Sequence, residues 1–197
     1  MEISAGLNPR RVEARARWSI SHVKAIHLYA HRISFQEQVQ RVTITSLEDL
    51  LAPGAALAGL KTNSKKHLLQ QLSQRMAQLH GLDERAIYET IQERERLGST
   101  GFGGGVAIPH GRLAGLKHVT ALFARLDTPI DFDALDHQPV DLVCLLLAPL
   151  DAGADHLKAL ARVSRTFRDA ALLEKLRGAR NDDALYALLA GQGRKAA

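Results

Sequence analysis

Apolar residues recur every three or four positions in two neighbouring segments, as the buried stripe of an amphipathic helix requires. The first predicted helix follows Ser64, which can cap its N-terminus, and ends before Gly81. Its apolar positions are Leu68, Leu69, Leu72, Met76 and Leu79. A second helix is predicted from its cap at Asp83 to about Leu97, with Gly98 after it.

Short apolar runs and further helical patterns alternate downstream. Three runs are too short for isolated helices and are typical of β-strands; they cover 106–108, 119–126 and 140–147. Helical spacing returns at about 155–167, 170–177 and 182–189. The alternation predicts an α/β fold, a single layered domain with a mixed β-sheet flanked by helices, and both hairpin and crossover connections fit the spacings.

The segment before the first long helix is less regular. Leu47, Leu50 and Leu51 predict a short helix, and we expect Pro53 and Gly54 to end it. The apolar run 56–60 that follows is typical of a strand or an apolar connection.

Charge is distributed unevenly along the 197 residues. Seven basic against three acidic residues in 1–43 give that segment +4 of the net +5, so the rest is nearly neutral. A basic arm can contact nucleic acid, a phospholipid surface or an acidic partner. The segment has only three aromatics, Trp18, Tyr29 and Phe35, which are too few for the stacking surface of a single-strand binder, so we expect no nucleic-acid role. The simplest interpretation of 1–43 is a basic, partly disordered N-terminal extension preceding one domain over 44–197.

The single cysteine and the hydropathy pattern indicate the cellular compartment of the protein. The single cysteine, Cys144, lies inside an apolar run and is expected to be a buried thiol, so no intramolecular disulfide can form. No apolar stretch approaches the roughly 18 residues of a membrane span, and no signal-peptide pattern follows the basic N-terminus. We therefore expect a soluble, cytoplasmic protein without membrane insertion.

The most informative segment is a glycine-rich stretch that leads to a histidine. Five glycines fall within 98–105, and we expect an irregular loop whose backbone amides approach a ligand closely. The spacing matches neither the dinucleotide fingerprint nor the P-loop. After a short predicted strand comes His110, between Pro109 and Gly111. Proline fixes the approach and glycine keeps the far side open, which suits a nucleophilic imidazole presented at the end of a strand.

Two further polar residues lie on the apolar faces of predicted helices. Arg94 follows Ile87 and Ile91 at helical spacing, so it either pairs with a carboxylate or faces an anion site. Its position just before the glycine stretch favours the anion site. His156 shares the inward face of its predicted helix at the N-terminal end, where the helix dipole favours a neutral imidazole. A packed histidine with a capping role is an equally good interpretation of His156 from spacing alone.

The remaining histidines give weaker signals. His27 and His31 stand four residues apart and could clamp a metal ion, but no third ligand is clustered with them, so we expect a chance spacing. No metal site and no cofactor are predicted.

These residues resemble the mannitol/fructose-type enzyme IIA family of the bacterial phosphotransferase system, and within it the nitrogen-regulatory type. The likeness covers about residues 44–197 and excludes 1–43. It rests on the segments RERLGSTG (94–101), VAIPHG (106–111), PIDFDA (129–134) and DHQPVDL (136–142), with His156 and Leu157.

The resemblance implies a phosphohistidine carrier. His110 would be the phosphorylated residue, His156 the second active-site histidine and Arg94 the active-site arginine. The implied donor is a small HPr-like phosphocarrier, and the phosphorylation state would regulate downstream partner proteins. Two alternatives stay open at this stage: a sugar-specific component that passes phosphate to a IIB partner, and a non-catalytic binding module that uses the basic arm.

We predict that deleting residues 1–43 leaves the fold and the phosphorylation of His110 intact, because every family motif and every core-patterned helix begins after Thr43. Thermal melts and phosphorylation rates of the full and shortened chains should match. An insoluble shortened chain would make residues 1–43 part of the domain.

Overall fold

A computed structural model of the chain describes residues 46–191. The basic segment 1–43, including the His27 and His31 pair, lies outside the described residues.

Residues 46–191 form one mixed, six-stranded sheet flanked by helices, as predicted. The strands are β1 (Leu51–Leu60), β2 (Gly101–Gly103), β3 (Val106–Ala107), β4 (His110–Leu113), β5 (Thr120–Ile130) and β6 (Val140–Pro149). Their order is β1-β5-β6-β3-β2. β4 also pairs with β6, in parallel, so β3 and β4 follow one another along the same edge of β6.

Five α-helices surround this sheet in the described region, and their local signals agree with their bounds. They are α1 (Lys65–His80), α2 (Glu84–Arg96), α3 (Ala154–Thr166), α4 (Ala170–Gly178) and α5 (Asp182–Leu189). The side chains of Ser64 and Asp83 accept the predicted capping hydrogen bonds, and Gly81 ends α1 in the left-handed conformation. The five helices predicted after Ser64 are therefore confirmed to within two residues.

The prediction for residues 47–54 was wrong in its details. The helix is only a 3-10 turn, Glu48–Leu50, and Pro53 and Gly54 lie inside β1 instead of ending a helix. The pairing of β1 with β5 shifts register between Leu51 and Ala56, so the strand bulges where proline cannot donate a hydrogen bond. Because β1 is an edge strand of the sheet, this irregularity is tolerated.

The glycine stretch also differs from the expected irregular loop. Gly101–Gly103 pairs antiparallel with Val106–Ala107, so the stretch is a tight hairpin. Gly103, Gly104 and Gly105 all have positive φ, a conformation that makes the turn possible and disfavours other residues. Another short strand, β4, begins at His110 and was not predicted.

The core is dominated by the two central strands. Nine of the ten residues of β6 are buried, so both faces of this strand are covered. Cys144 lies there, 1% exposed, so the predicted buried thiol is confirmed, and burial raises its pKa to about 12. None of the helices within residues 46–191 combines the length and the apolar character that crossing a bilayer demands.

A close contact between α2 and β4 positions the residues around His110. A Cβ atom placed on Gly111 would lie 2.5 Å from Cγ2 of Thr90, so only glycine lets α2 approach β4 this closely. Arg94 lies one helical turn beyond Thr90 and is thereby brought beside His110, the neighbour of Gly111. The glycine of the Pro-His-Gly motif thus serves helix packing.

We predict that Gly111→Ala destabilises the protein by about 1–3 kcal/mol, the usual cost of overpacking a tight contact. At this chain length, each kcal/mol lowers the melting temperature by roughly 2–4 °C. Thermal unfolding should show this loss, and Thr90→Ala in the same chain should reduce it. Gly178→Ala is the control, because nothing lies within 4 Å of the added Cβ. An unchanged melting temperature in Gly111→Ala would contradict the packing role.

Candidate active site: a histidine pair with oriented tautomers

The imidazole of His110 is held by its own backbone. Its Nδ1 lies 2.8 Å from the carbonyl oxygen of Ile108, two residues earlier. A carbonyl only accepts, so Nδ1 carries the proton and donates it to this bond. Nε2 of the neutral ring therefore carries the lone pair.

Arg94 lies beside this lone pair. Its Nε donates to His110 Nε2 at 3.1 Å, and its Nη1 donates to the carbonyl oxygen of Gly98 at 3.0 Å. No carboxylate within residues 46–191 forms an ion pair with Arg94. The sequence allowed either a carboxylate partner or an anion site for Arg94. The described region holds no carboxylate partner, so Arg94 is a half-buried cation next to a nucleophilic nitrogen.

His156 faces His110 from the first turn of α3. The ring centroids are 5.9 Å apart, the ring planes are inclined by 54°, and His156 is only 7% exposed. Arg112 Nε donates to His156 Nδ1 at 3.2 Å. Since a guanidinium cannot accept, the proton of the neutral His156 ring is on Nε2. That buried Nε2 has no hydrogen-bond partner within the described chain.

Both imidazoles are held neutral. Burial lowers the pKa of His110, and the charge of Arg94 lowers it further, against the opposing bond from the Ile108 carbonyl. Burial also lowers the pKa of His156, with additional effects from His110 and Arg112. The site therefore offers an unprotonated nucleophile near neutral pH.

A buried carboxylate fixes the segment between α2 and the hairpin. The Glu95 side chain, 7% exposed, accepts hydrogen bonds from the backbone and hydroxyl of Thr100 and pairs with Lys65 at 2.8 Å. Lys65 also donates to the Phe132 carbonyl and to Asp133. Burial lowers the pKa of Lys65, but the carboxylates of Glu95 and Asp133 outweigh this effect and raise it. The network positions Gly98, whose carbonyl holds Arg94.

The structure brings the three predicted site residues, Arg94, His110 and His156, together, but it does not bring the whole glycine stretch to them. Val106 pairs with Leu142, whereas His110 pairs with Leu146, four residues and about 13 Å farther along β6. The hairpin tip is engaged elsewhere, because the Gly104 amide donates to Asp136. The expectation that the backbone amides of this stretch approach the ligand therefore does not hold for the hairpin tip, and only the Gly98 end lies beside Arg94.

Two residues at the site were not singled out from the sequence. Arg112 follows His110 at the i+2 spacing that places both side chains on one face of a strand, and recognising β4 would have revealed it. Glu95 was missed because it lies off the apolar stripe of α2, and the chain after that helix folds back to bury it.

Comparison with known proteins matches the chain to a described family. Residues 50–192 match the family described as phosphoenolpyruvate-dependent sugar phosphotransferase system, EIIA 2. A nitrogen regulatory protein of Bradyrhizobium diazoefficiens is 56% identical over 144 residues, which are 73% of this chain and 94% of that protein. The nitrogen regulatory protein of Escherichia coli K12 is 37% identical over 148 residues, 75% of this chain and 91% of the relative.

A solved structure gives the same result for the fold. The crystal structure of nitrogen regulatory protein IIA-Ntr from Neisseria meningitidis matches with a TM-score of 0.67 and 34% sequence identity, over 73% of this chain and 98% of that one. The chain belongs to the type-2 EIIA family of the phosphotransferase system, among its nitrogen-type members, and is a component that transfers phosphoryl groups through a histidine.

Proposed function

We propose that Nε2 of His110 is the atom that accepts the phosphoryl group. The observation that carries this proposal is the tautomer of His110, because the Ile108 bond leaves Nε2 unprotonated and the lowered pKa keeps it so. The buried, unpartnered Nε2–H of His156 adds a donor with nothing to bind in the described chain. A purely structural histidine pair would leave that donor unexplained.

In the proposed step, the Nε2 lone pair of His110 attacks the phosphorus of a donor phosphohistidine in line with the bond that breaks. The electron pair of that bond returns to the donor's imidazole as the new nitrogen–phosphorus bond forms. The His110 ring gains positive charge, and its Nδ1–H bond to the Ile108 carbonyl stabilises that charge. The product is a phosphoramidate of high transfer potential, so the step is reversible.

Arg94 and His156 are proposed to stabilise the charge on the transferring group without accepting it. Attack requires Arg94 to leave the lone pair of Nε2, after which its guanidinium can donate to phosphoryl oxygens. His156 contributes its free Nε2–H from the opposite side. The His156 donor is oriented before the reaction and costs no reorganisation during it, whereas Arg94 must shift from Nε2 of His110 to the phosphoryl oxygens.

The partners follow from the same chemistry and from the relatives. We propose that a small HPr-like carrier supplies the phosphoryl group, and that downstream proteins distinguish the phosphorylated from the unphosphorylated chain. A regulatory role fits relatives that are named nitrogen regulatory proteins. We further propose 44–197 as the phosphocarrier domain, since the buried core of the described residues begins at Leu47.

We predict that His110→Ala abolishes phosphorylation in a relay of phosphoenolpyruvate and the two upstream phosphotransfer proteins. Intact-mass analysis should show one phosphoryl group on the native chain and none on the variant. His118→Ala is the matched control and should be modified like the native chain, because His118 is exposed. The modification should be labile in acid and stable in alkali. A phosphorylated His110→Ala chain would refute the assignment.

We predict that Arg94→Ala and His156→Ala each slow phosphorylation by about 10²-fold or more while leaving His110 as the acceptor. Initial rates with the phosphorylated carrier measure the effect, and thermal melts establish that both variants are folded. Native rates in either variant would show that the replaced side chain serves packing alone.

A further inference from the structure

We propose that Arg112 is a positioning residue that sets the tautomer of His156, so that a donor and not a lone pair faces the phosphoryl group on His110. The inference rests on the proposed function of His110. It concerns a residue outside the set of Arg94, His110 and His156 already assigned to the site.

The contact itself is simple. Arg112 Nε donates to His156 Nδ1 at 3.2 Å. Arg112 reaches this nitrogen because β4 places residues 110 and 112 on the same face, with Gly111 turned towards α2. A guanidinium has five N–H donors and no acceptor, so it can bind only the tautomer whose Nδ1 is unprotonated.

The choice of tautomer decides the polarity of the site. A neutral imidazole has one donor and one acceptor nitrogen, and His156 Nε2 is the buried nitrogen that lacks a partner. With the proton on Nε2, the ring donates to a phosphoryl oxygen. With the proton on Nδ1, an Nε2 lone pair would face an anion and repel it. Arg112 therefore fixes Nε2 of His156 as a hydrogen-bond donor.

Neutrality and orientation are both needed. Burial lowers the pKa of His156, and the neighbouring His110 and Arg112 lower it further. Without Arg112, a ring that is still neutral would divide between two tautomers. Other hydrogen bonds of the site do not replace this one, because Arg94 is engaged with His110 and Gly98.

Arg112→Met tests the proposal directly, because it keeps an extended side chain and removes every donor. Long-range proton–nitrogen NMR of the unphosphorylated protein reports which ring nitrogen of His156 carries the proton. We expect Nε2–H in the native chain and a mixture of both tautomers in Arg112→Met. Arg96→Met is the matched control, since it removes an exposed arginine of α2 whose side chain bonds Gln92. It should leave the His156 signals unchanged.

Transfer kinetics with the phosphorylated HPr-like carrier give the second measurement. We expect Arg112→Met to lower kcat about 10-fold, the effect of losing one hydrogen bond from a charged donor, with little change in KM. In a His156→Ala chain the same substitution should have almost no further effect, because the residue acts through His156.

Three outcomes would overturn the proposal: an unchanged Nε2–H tautomer in Arg112→Met, a changed tautomer with native kcat, or an equal rate loss in the His156→Ala background. A raised KM with an unchanged tautomer would assign Arg112 to donor docking instead. Failure of the proposed function is distinguishable, because it would appear as a phosphorylated His110→Ala chain or an unphosphorylated native chain, whereas the NMR result decides the tautomer of His156 in either case.

Discussion

The hydrogen bond between His110 Nδ1–H and the Ile108 carbonyl is the constraint on which the site depends. It spans two residues and arises where the chain passes from β3 to β4 through Ile108 and Pro109. Because one ring nitrogen is held as a donor, the other must present a lone pair. The roles of Arg94 and His156 follow, since both surround a nitrogen whose chemical character is already decided.

The rest of the fold serves to bring donors to that nitrogen. Glycine at position 111 lets α2 pack on β4, which delivers Arg94, and the first turn of α3 delivers His156. The buried carboxylate of Glu95 fixes the start of the glycine segment by bonding Thr100. Arg94 thus reaches His110 through one tight packing point, and His156 is already oriented by Arg112 before a phosphoryl group arrives.

Most of the fold could be predicted from periodicity and capping, because Ser64, Gly81 and Asp83 act through local rules that the tertiary structure does not override. Pro53 and Gly54 were misassigned because sheet pairing of β1 with β5 outweighs their local tendency to end elements. β4 escaped notice because a four-residue strand is too short for a clear alternation. Arg94 and His156 were found because they are polar residues on the apolar faces of helices. Arg112 is exposed and lies on no such face, so the sequence pattern did not reveal it.

The most direct test of this account is the identity of the phosphorylated atom. Nitrogen-15 NMR of the uniformly labelled phosphoprotein should show a one-bond phosphorus coupling at Nε2 of His110, with Nδ1 still protonated. Coupling at Nδ1 of His110 would contradict the account, because that nitrogen is protonated and donates a hydrogen bond to the Ile108 carbonyl. Coupling on any other histidine would contradict the assignment of the site itself.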